Sequence, residues 1–104
     1  MKRLRVSKLA ELDLDNIWHH VAKKSGKIET ANRVVDSITK HFSTLARQPT
    51  AGRGREELAP GLRSFPAEDY VVYYRESGPR VIISRVIHGK RDQEKALTDH
   101  DDKG

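Results

Sequence analysis

The sequence has no cysteine, which removes several kinds of chemistry at once. Without thiols there is no disulfide, no cysteine nucleophile and no zinc site built on cysteine. Long apolar runs are also missing, because none approaches the ~20 residues needed to cross a bilayer. The basic start is not followed by the apolar run of a secretory signal. We therefore expect a cytoplasmic protein that makes no membrane contact.

Charge is abundant but unevenly distributed along the 104 residues, with 34% charged residues and a net charge of +5. From Lys90 onward there are four basic and five acidic residues, so the preceding part carries a net charge of +6. A basic body favours an acidic partner, either nucleic acid or an acidic protein segment. The alternative is an ordinary surface with a surplus of lysine and arginine.

Two helices are predicted after a short strand at residues 2–6. Ser7 is a plausible N-cap for the first, whose apolar stripe ends near Ser25 and Gly26. A second apolar stripe runs from Ile28 to Ala46 and stops before Pro49. Because few residues separate the helices, we expect them to fold back on each other as a hairpin.

A period of two then predicts three antiparallel strands, at residues 62–65, 70–75 and 80–88. An exposed loop at 50–60 precedes them. In the last strand Val81, Ile83, Arg85 and Ile87 alternate with other largely apolar residues. The helix hairpin can cover one sheet face, so the other is either partly exposed or covered by a partner.

The predicted fold class is therefore α+β, with the two-helix hairpin packed on a small, mainly antiparallel sheet of three to four strands. We expect one domain over residues 1–92. Residues 93–104 form a C-terminal tail that we expect to be partly disordered.

Three segments resemble a known family. In residues 14–22 an acidic residue precedes Ile17 and Trp18, and Val21 and Ala22 follow. Residues 57–66 resemble the family's segment that leads into the three antiparallel strands. Residues 70–75 resemble its central strand, and residues 86–92 resemble its C-terminal motif. Together, over residues 3 to 95, they resemble the ParE branch of the ParE/RelE toxin family.

This resemblance implies the toxin of a type II toxin–antitoxin system, neutralised by a cognate ParD-like antitoxin. ParE toxins poison DNA gyrase and so block replication, and any contact with nucleic acid would be indirect. Their RelE relatives share the fold but cleave messenger RNA in the ribosome. Neither branch implies a cofactor for this chain.

Cleavage of RNA through its 2′-hydroxyl needs a base, an acid and cations for the phosphorane. Arg63, Arg85 and His88 are the catalytic candidates if the chain is a nuclease, with His88 as the proton carrier. The RelE enzymes that this family includes often use a tyrosine close to the C-terminus as part of the catalytic set. In this sequence no tyrosine follows His88. We therefore favour gyrase binding without catalysis. The alternatives are a ribosome-dependent RNA endonuclease and a basic protein that contacts nucleic acid without cutting it.

Several side chains are candidates for binding a partner: Arg53, Arg55, Tyr73, Tyr74, Arg85, Lys90 and Arg91. Tyr73 and Tyr74 point to opposite faces of one strand, so we expect one in the core and the other available to a partner. For Arg85 we favour pairing with a carboxylate.

Two further aromatic residues have structural interpretations. His88 ends a strand before a glycine, and we expect it to hydrogen-bond a backbone carbonyl and so fix the following turn. Trp18 is expected in the core. Metal binding is not predicted, because the adjacent His19 and His20 diverge on a helix and no HExxH-type spacing occurs.

Overall fold

The computed structural model describes residues 2–91. Besides a short 3-10 helix at Pro49–Ala51, this part of the chain contains two α-helices and five strands. In chain order they are strand β1 (Arg3–Val6), helices α1 (Lys8–Ser25) and α2 (Ile28–Arg47), and strands β2 (Arg53–Gly54), β3 (Arg63–Ala67), β4 (Tyr70–Ser77) and β5 (Arg80–His88). The predicted α+β fold is confirmed. The predicted tail at 93–104 lies outside the described residues. Within 2–91, no helix has the length and apolar character to span a membrane.

Helix α1 begins and ends at the residues that the sequence indicates. The Ser7 hydroxyl accepts a hydrogen bond from the Ala10 N–H at 3.1 Å, which satisfies one amide of the open first turn. At the other end Gly26 adopts the left-handed conformation, with φ at 71°, and its N–H donates to the Ala22 carbonyl. Pro49, two residues beyond α2, prevents that helix from continuing.

The two helices pack as a hairpin on one face of the sheet, which we call the inner face. The core formed there includes Ala10, Ile17, Val34, Ile38, Phe42, Leu45, Val72, Tyr74, Val81, Ile83 and Val86. Trp18 is only half-buried, so its prediction as a core residue is wrong. Its indole N–H donates to Asn32 Oδ1 at 2.7 Å and joins α1 to α2 near their surface.

The sheet has five strands in the order β1-β5-β4-β3-β2. β1 lies at one edge and runs parallel to β5, whereas every other pairing is antiparallel. The fifth strand arises within the predicted loop, because Arg53 and Gly54 pair with Ser64 and Arg63.

A β-bulge in β5 changes which residues face the helices. Tyr73 lies opposite Arg85 but Tyr74 lies opposite Ile83, which leaves Ser84 as the extra residue. Strict alternation placed Ile87 on the same face as Ile83. That prediction is wrong, because beyond the bulge Val86 joins the inner core and Ile87 packs on the opposite side.

The opposite side of the sheet, the outer face, is partly covered by the chain itself. We call residues 48–62, between α2 and β3, the connector. Its residues Leu58 and Ala59 pack over a second buried cluster of Leu62, Tyr73 and Ile87. The sequence predicted that this face is either exposed or covered by a partner. The connector covers the centre of this face.

Candidate functional site

Arg85 lies at the bulge and makes a two-pronged ion pair with Asp13 of α1. Its Nε donates to Asp13 Oδ2 at 2.8 Å and its Nη2 donates to Asp13 Oδ1 at 2.9 Å. The side chains are 5% and 14% exposed. The predicted pairing of Arg85 with a carboxylate is confirmed, and this pairing occupies the guanidinium inside the fold.

Asp13 was missed in the sequence, although a signal for it exists. It lies three residues after Ala10 and four before Ile17, both buried, so it interrupts the apolar stripe of α1. An acid in a buried helix stripe and a lone arginine in an apolar strand indicate a buried ion pair. Asp13 Oδ2 also accepts the Val86 N–H at 2.9 Å, which ties the helix to the strand backbone just after the bulge.

Arg63 and Tyr74 hold the connector that follows α2. The Tyr74 hydroxyl donates to the Pro49 carbonyl at 2.7 Å and accepts the Gly52 N–H at 2.8 Å. Arg63 Nη1 donates to the Gly52 carbonyl at 2.9 Å. Burial raises the pKa of Tyr74, an effect partly offset by the Gly52 N–H and the Arg63 charge. The polar groups of Arg63 and Tyr74 therefore bond to the backbone of the connector and have a structural role.

Tyr73 is buried on the outer face beneath the connector. The Arg55 guanidinium lies 5.9 Å from the centre of its ring, and Arg55 Nε bonds Glu57 Oε2 at 2.7 Å. Burial raises the pKa of Tyr73, while the nearby Arg55 charge acts in the opposite direction. Tyr73 and Tyr74 do point to opposite faces, but both are 0% exposed. The prediction that one of them is available to a partner is therefore wrong.

His88 closes β5 and organises the turn after it. Its Nδ1 accepts the Lys90 N–H at 3.1 Å, and its ring meets Tyr70 edge-on at 5.2 Å between centroids. His88 therefore supports the turn as predicted, but its Nδ1 accepts a backbone N–H where a bond to a backbone carbonyl was expected. His88 and Tyr70 also line a cleft of about 260 Å³ together with His20, Arg33 and Asp69.

The three nuclease candidates lie apart from one another. His88 is three residues beyond Arg85, about 10 Å along the strand, and Arg63 is two strands away, a further ~10 Å across the sheet. Arg85 and Arg63 are also held by Asp13 and Gly52. For metals, residues 2–91 contain no group of three histidine, aspartate or glutamate side chains placed to hold an ion.

Arginines dominate the outer face instead. Register places Arg3 opposite Arg80, and both Arg5 and Arg75 opposite Ile82, whose side chain points outward. Directly opposed like charges on neighbouring strands oppose folding, so the Arg3 and Arg80 pair has a structural cost. With the two arginines near β2, these side chains form what we call the arginine-rich face: Arg3, Arg5, Arg53, Arg55, Arg75 and Arg80.

A groove of about 430 Å³ opens within the arginine-rich face, beside the start of α1. We call it the outer groove. Its apolar lining comes from Leu9, Leu58, Ala59, Leu62 and Ile82. An apolar groove bordered by arginines suits a segment that carries both apolar and acidic side chains.

The predicted partner residues fall into three places in the structure. Tyr73, Tyr74 and Arg85 are buried. Arg53 and Arg55 lie at the β2 side of the arginine-rich face, while the exposed Lys90 and Arg91 follow the far end of β5. Sequence reasoning missed Arg3, Arg5, Arg75 and Arg80, because only the register of β1 and β4 on β5 brings them together.

The sequence is similar to that of known toxins. Residues 4–93 match the family model described as the ParE toxin of the type II toxin–antitoxin system parDE. Toxin ParE3 of Caulobacter vibrioides is 35% identical over 78 residues, which cover 75% of this chain and 77% of that protein. Toxin ParE1 of the same organism is 35% identical over 88 residues, covering 85% of this chain and 90% of that protein.

Solved structures show the same relationship. The chromosomal ParDE toxin–antitoxin system of P. aeruginosa contains a chain with a TM-score of 0.75 and 28% identity, covering 85% of this chain and 96% of that one. The RelBE2 toxin–antitoxin complex of Mycobacterium tuberculosis gives a TM-score of 0.62 and 25% identity, with 84% and 96% covered. The match to the family model spans nearly all of the described residues, and this chain therefore belongs to the ParE toxin family of type II toxin–antitoxin systems.

Proposed function

We propose that this toxin inhibits growth by binding DNA gyrase and performs no catalytic step of its own. The observation that carries the proposal is the burial of Arg85 in its ion pair with Asp13. A ribonuclease of the RelE type needs cations directed at the RNA phosphate. Here one candidate cation is directed into the protein, Arg63 holds the connector, and His88 supports a turn. Family membership in the ParE branch favours gyrase as the target.

A cognate ParD-like antitoxin is the second proposed partner. The solved neighbours come from toxin–antitoxin systems, which supports a partner of this kind. The arginine-rich face and the outer groove supply positive charge around an apolar surface. We therefore expect the antitoxin to contribute a segment with acidic and apolar side chains, since such a segment matches both features.

Ribosome-dependent cleavage of messenger RNA is a second candidate function. It is favoured by the similarity to the RelBE2 complex and by the cleft that His20, Tyr70 and His88 line. Histidine is the side chain whose ordinary pKa suits proton transfer near neutral pH. This candidate would place the chemistry at the His88 end of the sheet.

The deciding experiment compares the two targets with one preparation of toxin. Purified gyrase, supercoiled plasmid and ATP are incubated with the toxin, and a translating-ribosome assay is run in parallel. We expect lost supercoiling or trapped cleavage complexes together with intact messenger RNA. Messenger RNA cut in the ribosome with gyrase activity unchanged would overturn the gyrase proposal.

The His88→Ala variant provides the matched control for this comparison. If gyrase is the target, the variant keeps its inhibition, because His88 then has a structural role, in the turn after β5 and against the Tyr70 ring. A loss of toxicity with an unchanged circular dichroism spectrum would favour the nuclease. Steeply salt-dependent binding to plasmid without gyrase would indicate direct nucleic-acid contact instead.

A further inference from the structure

Exposed side chains of α1 lie between the outer groove and the last described residues of the chain. Leu9 lines the groove and is 38% exposed, and Leu12, one turn further along the helix, is 55% exposed. Asn16 follows on the same side and lines a cavity that Arg91 also borders. An exposed strip of α1 therefore connects the groove with the last described residue.

The composition of the segment after Arg91 is complementary to the outer groove, because it combines acidic residues with one large apolar residue. Residues 92–104 contain five acidic and two basic residues, a net charge of −3, whereas residues 1–91 carry +8. Leu97 is the one large apolar residue of the segment, and Asp99, Asp101 and Asp102 follow it. The order along the chain is thus a leucine and then a cluster of carboxylates.

We propose that residues 92–104 dock in the outer groove of their own chain, with Leu97 against the apolar lining and the three aspartates on the arginine-rich face. Leu97 is six residues beyond Arg91, a reach of up to ~20 Å. The distance from Asn16 to Leu9 along α1 is about 10 Å. Arg5 and Arg75 lie beside Ile82 at the groove, within the further reach of the aspartates.

Docking by the chain's own segment has a consequence for any acidic partner. Because the segment is tethered to the chain that carries the groove, its effective concentration there is on the order of millimolar. A partner that uses the same arginines must displace it. The segment therefore acts as an internal competitor, and only a partner that binds this face more strongly than the segment does can displace it.

A paramagnetic label tests the contact directly in the full-length chain. The chain has no cysteine, so Gly104→Cys creates a single labelling site and leaves the side-chain charges unchanged. With a nitroxide at this site, the backbone amide signals of Arg75, Ser77 and Ile82 should lose most of their intensity. The signals of Asp36 and Lys40 on α2 should keep theirs, because α2 packs on the inner face. Raising the salt to about 1 M, where the Debye length is about 3 Å, should restore the lost signals.

Matched variants separate a specific contact from general attraction. Asp99→Asn, Asp101→Asn and Asp102→Asn together should remove the signal loss, and Leu97→Ser should reduce it. Neutralising three exposed acids elsewhere, Asp15, Glu29 and Asp36, should leave the loss unchanged. Unbroadened groove signals, or loss confined to the helices, would overturn the proposal. Loss seen when labelled chains are mixed with separate isotope-labelled chains would assign the groove to a second copy and overturn it too.

Discussion

Arg85 Nε and Asp13 Oδ2 lie 2.8 Å apart, and this contact joins the last strand of the sheet to the first helix inside the fold. Two parallel hydrogen bonds to one carboxylate hold the guanidinium in a fixed plane. The same carboxylate accepts the Val86 amide. The pair thus stabilises the position of α1 on the sheet, and its loss should be felt throughout the domain.

Asp13→Ala should destabilise the protein by about 3–5 kcal/mol, because it leaves a buried charge without its carboxylate. The change also leaves the Val86 N–H without its acceptor. Urea unfolding followed by circular dichroism measures the loss.

The double variant Asp13→Leu with Arg85→Met should recover much of the lost stability, since no buried charge remains. Asp15→Ala, at an exposed position two residues away, is the control and should change the urea midpoint little. Equal midpoints for Asp13→Ala and Asp15→Ala would contradict the role of the ion pair.

Gly52→Ala should cost about 1–3 kcal/mol of stability, because the added Cβ would collide with the Tyr74 hydroxyl and approach the Ser64 carbonyl oxygen to 2.8 Å. Gly54→Ala is the matched control, since a Cβ there meets no atom of residues 2–91 within 4 Å. Thermal unfolding of both variants makes the comparison. A Gly54 variant as unstable as the Gly52 variant would show that the loss comes from the strand and not from the Tyr74 contact.

Alkaline pH should destabilise the fold through its tyrosines. Burial raises the pKa of Tyr70, Tyr73 and Tyr74 above the ordinary value. The folded state therefore holds these protons more tightly than the unfolded state does. The resulting stability is fully present below the unfolded pKa of about 10 and is lost as the pH rises through the folded values.

Urea midpoints at about pH 8 and about pH 11, on either side of the ordinary tyrosine pKa, measure this loss. The drop between the two should be smaller in Tyr70→Phe, which removes one of the three groups. An equal drop in the variant and the parent chain would assign the alkaline loss to other groups, such as lysines.

Arg75→Glu combined with Arg80→Glu should slow association with the antitoxin about tenfold or more, because the change reverses charge on the arginine-rich face. Stopped-flow measurements at two salt concentrations give the rate and its salt dependence. The pair Lys24→Glu and Lys40→Glu alters the net charge equally on the helix side and should have a much smaller effect. Equal slowing by both pairs would mean that only the net charge matters.

Much of the fold could be predicted because local signals agree with it. The Ser7 cap, the Gly26 stop and the Pro49 boundary each fix a helix end through backbone chemistry within a few residues. The strands β3 to β5 follow from alternation and short turns. The parallel pairing of β1 with β5 has no such local signal, since it depends on contacts between residues 3–6 and residues 80–83, which are far apart in the sequence.

The site was less predictable for a physical reason. A single extra residue at Ser84 shifts the alternation of β5, and nothing in the composition of residues 80–88 reveals where a bulge occurs. The burial of Tyr73 depends on Leu58 and Ala59 folding back over the sheet. Whether Tyr73 is exposed thus depends on residues of the predicted loop. Alternation within a strand cannot reveal this, because it reports only on the residues of that strand.

The pairing of β1 with β5 also bears on the synthesis of the protein. The Arg3 N–H donates to the Pro79 carbonyl, and Ser7 donates to the Ile83 and Ser84 carbonyls, so a segment made early bonds to one made much later. A nascent chain cannot complete its sheet until β5 has left the ribosome, and pairing between distant segments is slow. The emerging chain therefore passes through an interval in which β1 is already made and the strand that it pairs with is not.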